Sequence, residues 1–419
     1  MKVHGRIRVP GDKSISHRAL IFSALANGSS RLSGLLASAD VQRTASVLRA
    51  LGVSIPEVGR DPIVVTGDGP LSLHAPAGPL DAGNSGTTTR LMSGVLAARP
   101  FASTIVGDGS LSKRPMQRVA APLTAMGARF AFAHGDGLPM TIHGGALQGL
   151  TWRCEAASAQ VKGAIVLAGF VAGVPVEVHE PAPTRDHTER MMRGRGVDIR
   201  SEGNVVTLNP SATMHALDVD VPGDPSSAAF FAALAALASG GEIALPGVCA
   251  NPGRTGAFRV LGRMGARVLW QDMVDAGGEP IATLVAAPRT LCGTTIEPHE
   301  IAALIDELPV LACVAARAAG ETRVTGAAEL RVKESDRITL VVNNLRAIGV
   351  DAEELPDGFV VRGSDRPLSG RVHTEGDHRI AMAFGVLSAA TGGAIEVDDP
   401  ACVDVSYPSF WTDLANACT

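Results

Sequence analysis

The chain has 419 residues, of which 46% are apolar, 19% charged and 4% aromatic, and its formal net charge is −5. At roughly 150 residues per domain this length is too great for one ordinary core and suits two domains, while the apolar share supports packed cores and excludes long disorder. An acidic balance with so few aromatic rings argues against a nucleic-acid surface, so any anion site has to be a local basic cluster.

The opening MKVHGRIRVP has no apolar run of the signal-peptide kind, and the longest apolar stretch, Ala228 to Ala238, is too short to span a bilayer. No membrane association and a cytoplasmic location are therefore expected. The first predicted helix follows a short strand ending at Gly11 and Asp12, in VPGDKSISHRAL. Lys13, Ser14, Ser16, His17 and Arg18 open it, and the free amides and dipole of a helix start favour an anion. Ser14 and Arg18, four apart, share one face. Taken alone, the segment reads equally well as an ordinary capped helix with exposed charges.

In DAGNSGTTTRLMSG, Gly83, Asn84, Gly86 and Thr87 to Thr89 precede an apolar helical run. Glycine lets backbone approach a ligand closely, and amides with threonine hydroxyls can wrap an anion. No GxxxxGK[ST] or GxGxxG occurs, so nucleotide binding by those routes lacks support. SLSKRPMQRV places Lys113, Arg114 and Arg118 beside a proline-fixed turn, in composition a solvated basic turn. In ASAQVKGAIVLAG, Ser158 and Gln160 sit just before an apolar helix, where capping alone would also account for them.

VDVPGDPSS marks the expected domain boundary, because Pro222, Gly223 and Pro225 interrupt regular structure just before the helical SSAAFFAALAALA. It repeats the Val-Pro-Gly-Asp phrase of Val9 to Asp12, which suggests the two strands of one hinge. IDELPVLA puts Asp306 and Glu307 in an otherwise apolar helical stretch, where an unpaired carboxylate is costly, so each implies a partner or a task. In ELRVKESDRI, Lys333, Glu334 and Arg337 are expected on adjoining helical positions, as a surface lattice or as a site. In EGDHRIAMAFGVL, Asp377 can cap a helix whose first turn holds His378 and Arg379. Cys154, Cys249, Cys292, Cys313, Cys402 and Cys418 include no CxxC pair and are expected as small core residues, with neither a metal site nor a disulfide framework.

One pattern recurs along the chain: a helical stretch ending in Leu or Met, then a glycine, then alternating apolar residues that read as a strand. It appears as LRALGVSI, LTAMGARF, MMRGRGVDI, LGRMGARVL and LRAIGVDAE, with Gly52, Gly127, Gly196, Gly265 and Gly349 spaced by 75, 69, 69 and 84 residues. Such spacing indicates a repeated unit, about six copies in all, three to a domain. Lys13, Arg18, Arg114, Lys333, Arg337 and Arg379 open or flank glycine-rich helix starts in an acidic chain, a combination that suits small phosphates and carboxylates.

GDKSISHR, GNSGTTTRLM, LSKRPM, SAQVK, RVKESDR and GDHRIAM, in that order over nearly the whole chain, resemble the enolpyruvylshikimate phosphate synthases. The resemblance implies an α/β protein with the two-domain enolpyruvyl transferase fold, an inside-out α/β barrel with three βαβαββ-like repeats per domain. Residues 12–222 would form the shikimate-phosphate-binding domain, residues 1–11 with 223–419 the second, and the active site the cleft between them. The implied reaction moves the enolpyruvyl group of phosphoenolpyruvate to the 5-hydroxyl of shikimate 3-phosphate by addition and elimination. It would need no cofactor and no metal, and would run in a monomer that handles small molecules and no nucleic acid.

Carried over by motif, Lys13, Ser14, Arg18, Ser158, Ala159, Gln160, Thr184, Arg185, Asp306 and Lys333 are expected on shikimate 3-phosphate. Lys13, Asn84, Gly86, Thr87, Arg114, Gln160, Arg337, His378 and Arg379 are expected on phosphoenolpyruvate. Asp306 would be the base toward the hydroxyl, with Glu334 and Lys13 as proton-transfer candidates. Ser158-Ala159-Gln160 stands where many relatives carry Ser-Ser-Gln, and Val405 where several carry a lysine. Gly86, which is alanine in some glyphosate-tolerant relatives, implies inhibition by glyphosate. The nearest rival, the enolpyruvyl transferase acting on a UDP-amino sugar, uses a loop cysteine, and none lies between Asn84 and Gly127. An inactive homologue is disfavoured by retention of Lys13, Asp306 and Glu334.

Overall fold

The computed structural model describes residues 1–210 and 213–418. Its chain divides into two compact units. The N-terminal unit comprises Gly11–Val221 with Ala276–Glu279, and the C-terminal unit Met1–Pro10, Pro222–Asp275 and Pro280–Thr419. The chain thus changes unit inside both Val-Pro-Gly-Asp phrases and again on either side of the hairpin tip Ala276–Glu279.

The N-terminal unit runs α1 (Lys13–Leu25), β1 (Asn27–Ser33), α2 (Ala39–Ala50), β2 (Ile63–Asp68), β3 (Leu80–Asp81), α3 (Gly86–Ala97), β4 (Ala102–Val106), α4 (Gln117–Ala125), β5 (Arg129–Phe132) and β6 (Met140–His143). It continues with β7 (Leu150–Arg153), α5 (Ala159–Ala172), β8 (Val176–His179), α6 (His187–Gly194), β9 (Ile199–Glu202), β10 (Val205–Leu208) and β11 (Val219–Asp220). The C-terminal unit holds α7 (Pro225–Leu237), β12 (Ile243–Cys249), α8 (Gly256–Arg263), β13 (Arg267–Ala276), β14 (Glu279–Ala287), β15 (Thr295–Ile296), α9 (Leu308–Ala315) and β16 (Gly320–Val324). After these come α10 (Arg337–Ala347), β17 (Asp351–Leu355), β18 (Gly358–Gly363), β19 (Gly370–Val372), α11 (His378–Ala390), β20 (Ile395–Val397) and α12 (Phe410–Ala417).

Among the described residues the strands form six sheets, and three share one plan: β3-β4-β6-β5, β7-β8-β10-β9 and β15-β16-β18-β17. In each, the first pair is parallel and the next two antiparallel. The first sheet of each unit takes its parallel partner from a distant segment. β11 pairs with β1, and Val3 and Arg6 bridge Gly241 and Ala244. The sixth repeat departs from the expected plan, since its β19-β20 sheet is two-stranded and α12 stands where a hairpin would follow.

The five recurrent glycines share one conformation. Gly52, Gly127, Gly196, Gly265 and Gly349 lie two residues beyond the ends of α2, α4, α6, α8 and α10 with φ of 97, 120, 85, 105 and 93°, a helix-ending geometry that costs other L-residues. A regular strand follows four of them. After Gly52 the chain is irregular, with only the isolated bridge Val58–Arg60, so the strand expected from LRALGVSI is absent.

The two helices of a repeat differ in kind. The second is two-faced, as in α8, where Ala257, Phe258, Val260 and Leu261 are buried and Arg259 and Arg263 are not. The first is apolar on nearly every side: all residues from Val161 to Val171 are buried in α5, and likewise from Pro225 to Ala236 in α7 and across all of α9. Such helices have to sit inside. α1 packs on α3 and α3 on α5, while α7, α9 and α11 touch pairwise. The α3–α5 approach depends on Gly94, where a Cβ would lie 2.1 Å from the Ala164 carbonyl oxygen.

The expectation that every cysteine is a core residue fails. Cys249 and Cys313 are buried, Cys154, Cys402 and Cys418 are half-buried, and Cys292 is exposed. Small size permits burial but does not require it at loop and sheet-end positions. Among the described residues no helix is long and apolar enough to cross a membrane.

The glycine geometry sets a comparison. Gly349→Ala, with open space around a new Cβ, should lose about 1–2 kcal/mol from backbone strain. Gly265→Ala, whose Cβ would meet the Thr290 carbonyl oxygen at 2.4 Å, should lose more. Thermal melting of the two variants checks this; equal losses would show that strain alone acts.

Candidate active site

In the N-terminal unit the expected site residues gather at helix starts. Asp12, fully buried, accepts the Ile15 N–H at 2.8 Å and so starts α1 at Lys13 and Ser14. Lys13 Nζ is ion-paired with Asp40 Oδ2. Arg18, one turn on and buried, donates to the Ser14 carbonyl at 3.1 Å and to Thr188 Oγ1 at 2.8 Å. Burial lowers its pKa to about 10 against the opposing charges of Glu189 and Asp12, which leaves it a cation at neutral pH.

Ser85 caps α3 by accepting the Thr88 N–H at 3.2 Å, which leaves Gly86 and Thr87 in the first turn. Ser158 caps α5, accepting the Val161 N–H at 3.4 Å, ahead of Ala159 and Gln160. The Gln160 amide joins the two helix starts: its carbonyl accepts from Arg90 at 2.5 Å and its nitrogen donates to Thr87 Oγ1 at 2.8 Å. Arg114 donates to Asn84 Oδ1 at 2.6 Å, beside the same turn. A Cβ on Gly86 would come within 3.1 Å of the Arg90 guanidinium and 3.4 Å of that of Arg114. The Thr184 hydroxyl donates to Glu180, and half-buried Arg185 follows in the same loop.

A buried polar chain runs beneath these turns. His17 Nδ1 lies 2.6 Å from Thr44 Oγ1, Thr44 2.6 Å from Thr88 Oγ1, and Thr88 2.7 Å from Ser85 Oγ, which connects α1, α2 and α3. Burial, only partly offset by Asp40, pushes the His17 imidazole down to about 3, so it is neutral. Its Nε2 has no hydrogen-bond partner in the structure.

In the C-terminal unit one buried arginine organises the rest. Arg337 donates to Asp377 Oδ2 at 2.8 Å and Oδ1 at 3.2 Å, and to Glu334 Oε2 at 2.7 Å. Burial opposes its charge, but Asp377 and then Glu334 outweigh that and raise its pKa; the same contact with Arg337 lowers that of Asp377 against burial. Asp306 Oδ1 lies 3.4 Å from Arg337 and 3.5 Å from Lys333 Nζ. Arg379 donates to the Asp306 carbonyl at 3.2 Å and lies 3.8 Å from the Glu307 carboxylate. Asp377 caps α11, accepting the Arg379 N–H at 3.0 Å, with His378 buried next to it.

Two local expectations need correction. Asp306 and Glu307 lie in a 3₁₀ turn, Ile305–Glu307, because Pro309 fits the first turn of a new helix and α9 starts at Leu308. Lys333 and Glu334 are not helical. Asp336 accepts the Thr339 N–H at 3.1 Å, so α10 begins only at Arg337. Val405 is half-buried at the end of the 3₁₀ turn Pro400–Val405. Among the described residues no group of three or more His, Cys, Asp or Glu side chains could hold a metal ion.

A sequence profile described as EPSP synthase (3-phosphoshikimate 1-carboxyvinyltransferase) matches residues 1–414. The 3-phosphoshikimate 1-carboxyvinyltransferase of Alkalilimnicola ehrlichii is 48% identical over 411 residues, covering 97% of this chain and 92% of that protein. The chain belongs to the EPSP synthase family. The solved EPSP synthase of Acinetobacter baumannii superposes with a TM-score of 0.87 at 41% identity, covering 99% of this chain and 95% of that one. The enolpyruvyl transferase NikO from Streptomyces tendae shares the fold, with a TM-score of 0.74 at 18% identity.

One residue of this EPSP synthase family chain is missed by the sequence reading, and one that it singles out finds its partner. Arg90, which holds Gln160, sits four residues after Gly86, so helical spacing in GNSGTTTRLM was a usable signal. Glu307, buried and bonded by the Ser226 hydroxyl, faces Arg379, a pairing made only by tertiary structure.

His17 provides a pH test. Its folded pKa lies below the unfolded value of 6.5, so the unfolded chain binds the extra proton, and stability present above pH 6.5 drains away as pH falls toward 3. His17→Asn should remove about 1.4 kcal/mol per pH unit of that slope. Denaturant midpoints of both proteins from pH 7 to 4 check it; parallel curves would place the imidazole outside this account.

Proposed function

We propose that these two sets of residues transfer the enolpyruvyl group of phosphoenolpyruvate to the 5-hydroxyl of shikimate 3-phosphate, releasing phosphate. The observation that carries this reading is Asp306 bracketed by Lys333 and Arg337, with Glu334 on the same guanidinium, inside a chain that the family matches over residues 1–414. In the addition step the vinyl methylene of phosphoenolpyruvate gains a proton from Lys13 or Glu334. The shikimate 5-hydroxyl, losing its proton to Asp306, attacks the neighbouring carbon. In the elimination step the new methyl group loses a proton, the double bond re-forms, and phosphate leaves with the C–O bonding pair.

Arg18, Thr184, Arg185, Ser158, Gln160 and Lys333 suit the shikimate 3-phosphate charges. Arg114, Arg337 and Arg379, with the amides at Gly86 and Thr87, suit phosphoenolpyruvate. Cations of this kind stabilise the charge that develops in the tetrahedral intermediate. Asp306 faces Lys333 and Arg337, which fix the direction of its carboxylate. A monomer in the cytoplasm goes with this reading, and sedimentation of the purified chain checks the first part.

The decisive assay measures phosphate release from phosphoenolpyruvate with shikimate 3-phosphate and, separately, with UDP-N-acetylglucosamine, with and without glyphosate. Release with the shikimate compound alone, blocked by glyphosate, is expected; release with the sugar nucleotide alone would move the chain to the rival reaction. Asp306→Ala should lower kcat by about 10²–10⁴ while both KM values change little, and wild-type turnover would remove Asp306 from the chemistry. Gly86→Ala should fold, because the atoms its Cβ meets are the mobile ends of Arg90 and Arg114. It should raise the glyphosate concentration needed for inhibition, and unchanged inhibition would place Gly86 away from that ligand.

A further inference from the structure

Lys162, Glu180 and Glu189 form a charged cluster that the proposed chemistry does not use. Their side chains are 2%, 3% and 1% exposed, and Lys162 Nζ lies 2.8 Å from Glu180 Oε2 and 2.7 Å from Glu189 Oε1. Burying such a group is expensive, and an apolar set of the same volume would commonly stabilise a fold at least as well. Stability alone is therefore a poor account of its presence.

The cluster lies where three elements meet, and each adjoins or contacts residues expected on shikimate 3-phosphate. Lys162 sits in the first turns of α5, two residues past Gln160. Glu180 follows β8, and its other oxygen, Oε1, accepts the Thr184 hydroxyl, which ties down the Thr184–Arg185 loop. Glu189 stands in the first turn of α6 next to Thr188, whose hydroxyl accepts from Arg18. Its carboxylate also acts on Arg18 through space. Gly163 marks the close approach: a Cβ there would meet Thr188 Oγ1 at 3.2 Å and Arg18 at 3.7 Å. The three charges sum to −1, and Arg18 supplies the compensating cation.

We infer that Lys162 is a positioning residue for the shikimate 3-phosphate site, holding Glu180 and Glu189 so that the Thr184–Arg185 loop and the Arg18–Thr188 contact keep one geometry. This rests on the functional reading above. Lys162 touches no substrate and acts through Thr184 and Arg18. Without its charge, two carboxylates are left buried side by side, and repulsion moves β8's loop and α6 apart. In Glu180→Gln the carboxylate charge that holds Lys162 is gone, and the amide oxygen can keep Lys162 only with its NH2 turned to Thr184, whose hydroxyl must then accept instead of donating.

Steady-state kinetics of the full chain test this, with each substrate varied in turn for wild type, Lys162→Met, Glu180→Gln and Lys162→Met with Glu189→Gln. Lys162→Met should raise KM for shikimate 3-phosphate about tenfold or more while KM for phosphoenolpyruvate stays within about twofold. Adding Glu189→Gln should recover part of the loss by removing the excess negative charge, whereas a space-filling role would be worsened by a second change. Glu180→Gln, which leaves a neutral Lys162–Glu189 pair, should show the same selective rise, and it decides the matter if Lys162→Met does not fold. Wild-type KM for shikimate 3-phosphate in Glu180→Gln, or equal rises for both substrates, would overturn the inference. Wild type that turns over no shikimate 3-phosphate would overturn the functional reading beneath it.

Discussion

A helix that is apolar on every side cannot lie against water, and both units are built around that constraint. α5, α7 and α9 have no polar face to offer, so strands and two-faced helices have to cover them. Only their ends can carry polar groups. The N-terminal ends carry Ser158 and Gln160, Asp224 and Ser226, and Asp306 and Glu307 at or just before the first turn. A helix start is also where free amides and the positive end of the dipole collect. Core packing and anion binding thus have one origin. The depth at which α3 meets α5, set by Gly94, brings Gln160 within hydrogen-bond distance of Thr87 and Arg90.

Charge is handled differently in the two units. In the C-terminal unit Arg337 is surrounded by Asp377, Glu334 and Asp306, so a cation expected on an anionic ligand is already held by acids. Burial would favour its loss of a proton, and the carboxylates more than cancel that. In the N-terminal unit the balancing groups lie one layer below: His17 is neutral under the α3 turn, and Lys162 with its two carboxylates lies behind Arg18. Both arrangements fix side chains before any ligand arrives. That reduces the reorganisation required during charge transfer.

The repeat was legible because one physical need, a residue with positive φ after a helix, allows few solutions, and glycine marks it five times. The helix starts of GDKSISHR, GNSGTTTR and GDHR were legible for a similar reason, since capping residues announce themselves locally. IDELPV and RVKESDR read as helical from their first residues because Glu307, Lys333 and Glu334 have good helical propensity. Pro309 and the Asp336 cap moved the true starts downstream. Exposure of Cys292 left no mark in composition.

The sequence by itself determined the α/β repeat, the apolar helices and which helix starts carry cations, because these follow from periodicity, capping and backbone sterics over a few residues. Tertiary structure alone decided that β11 and the first residues complete sheets begun elsewhere, that Glu307 faces Arg379, and that Lys162 lies between Glu180 and Glu189. Those pairings join residues far apart in the chain, where no local rule of spacing or propensity operates and the partner is chosen by how the elements pack.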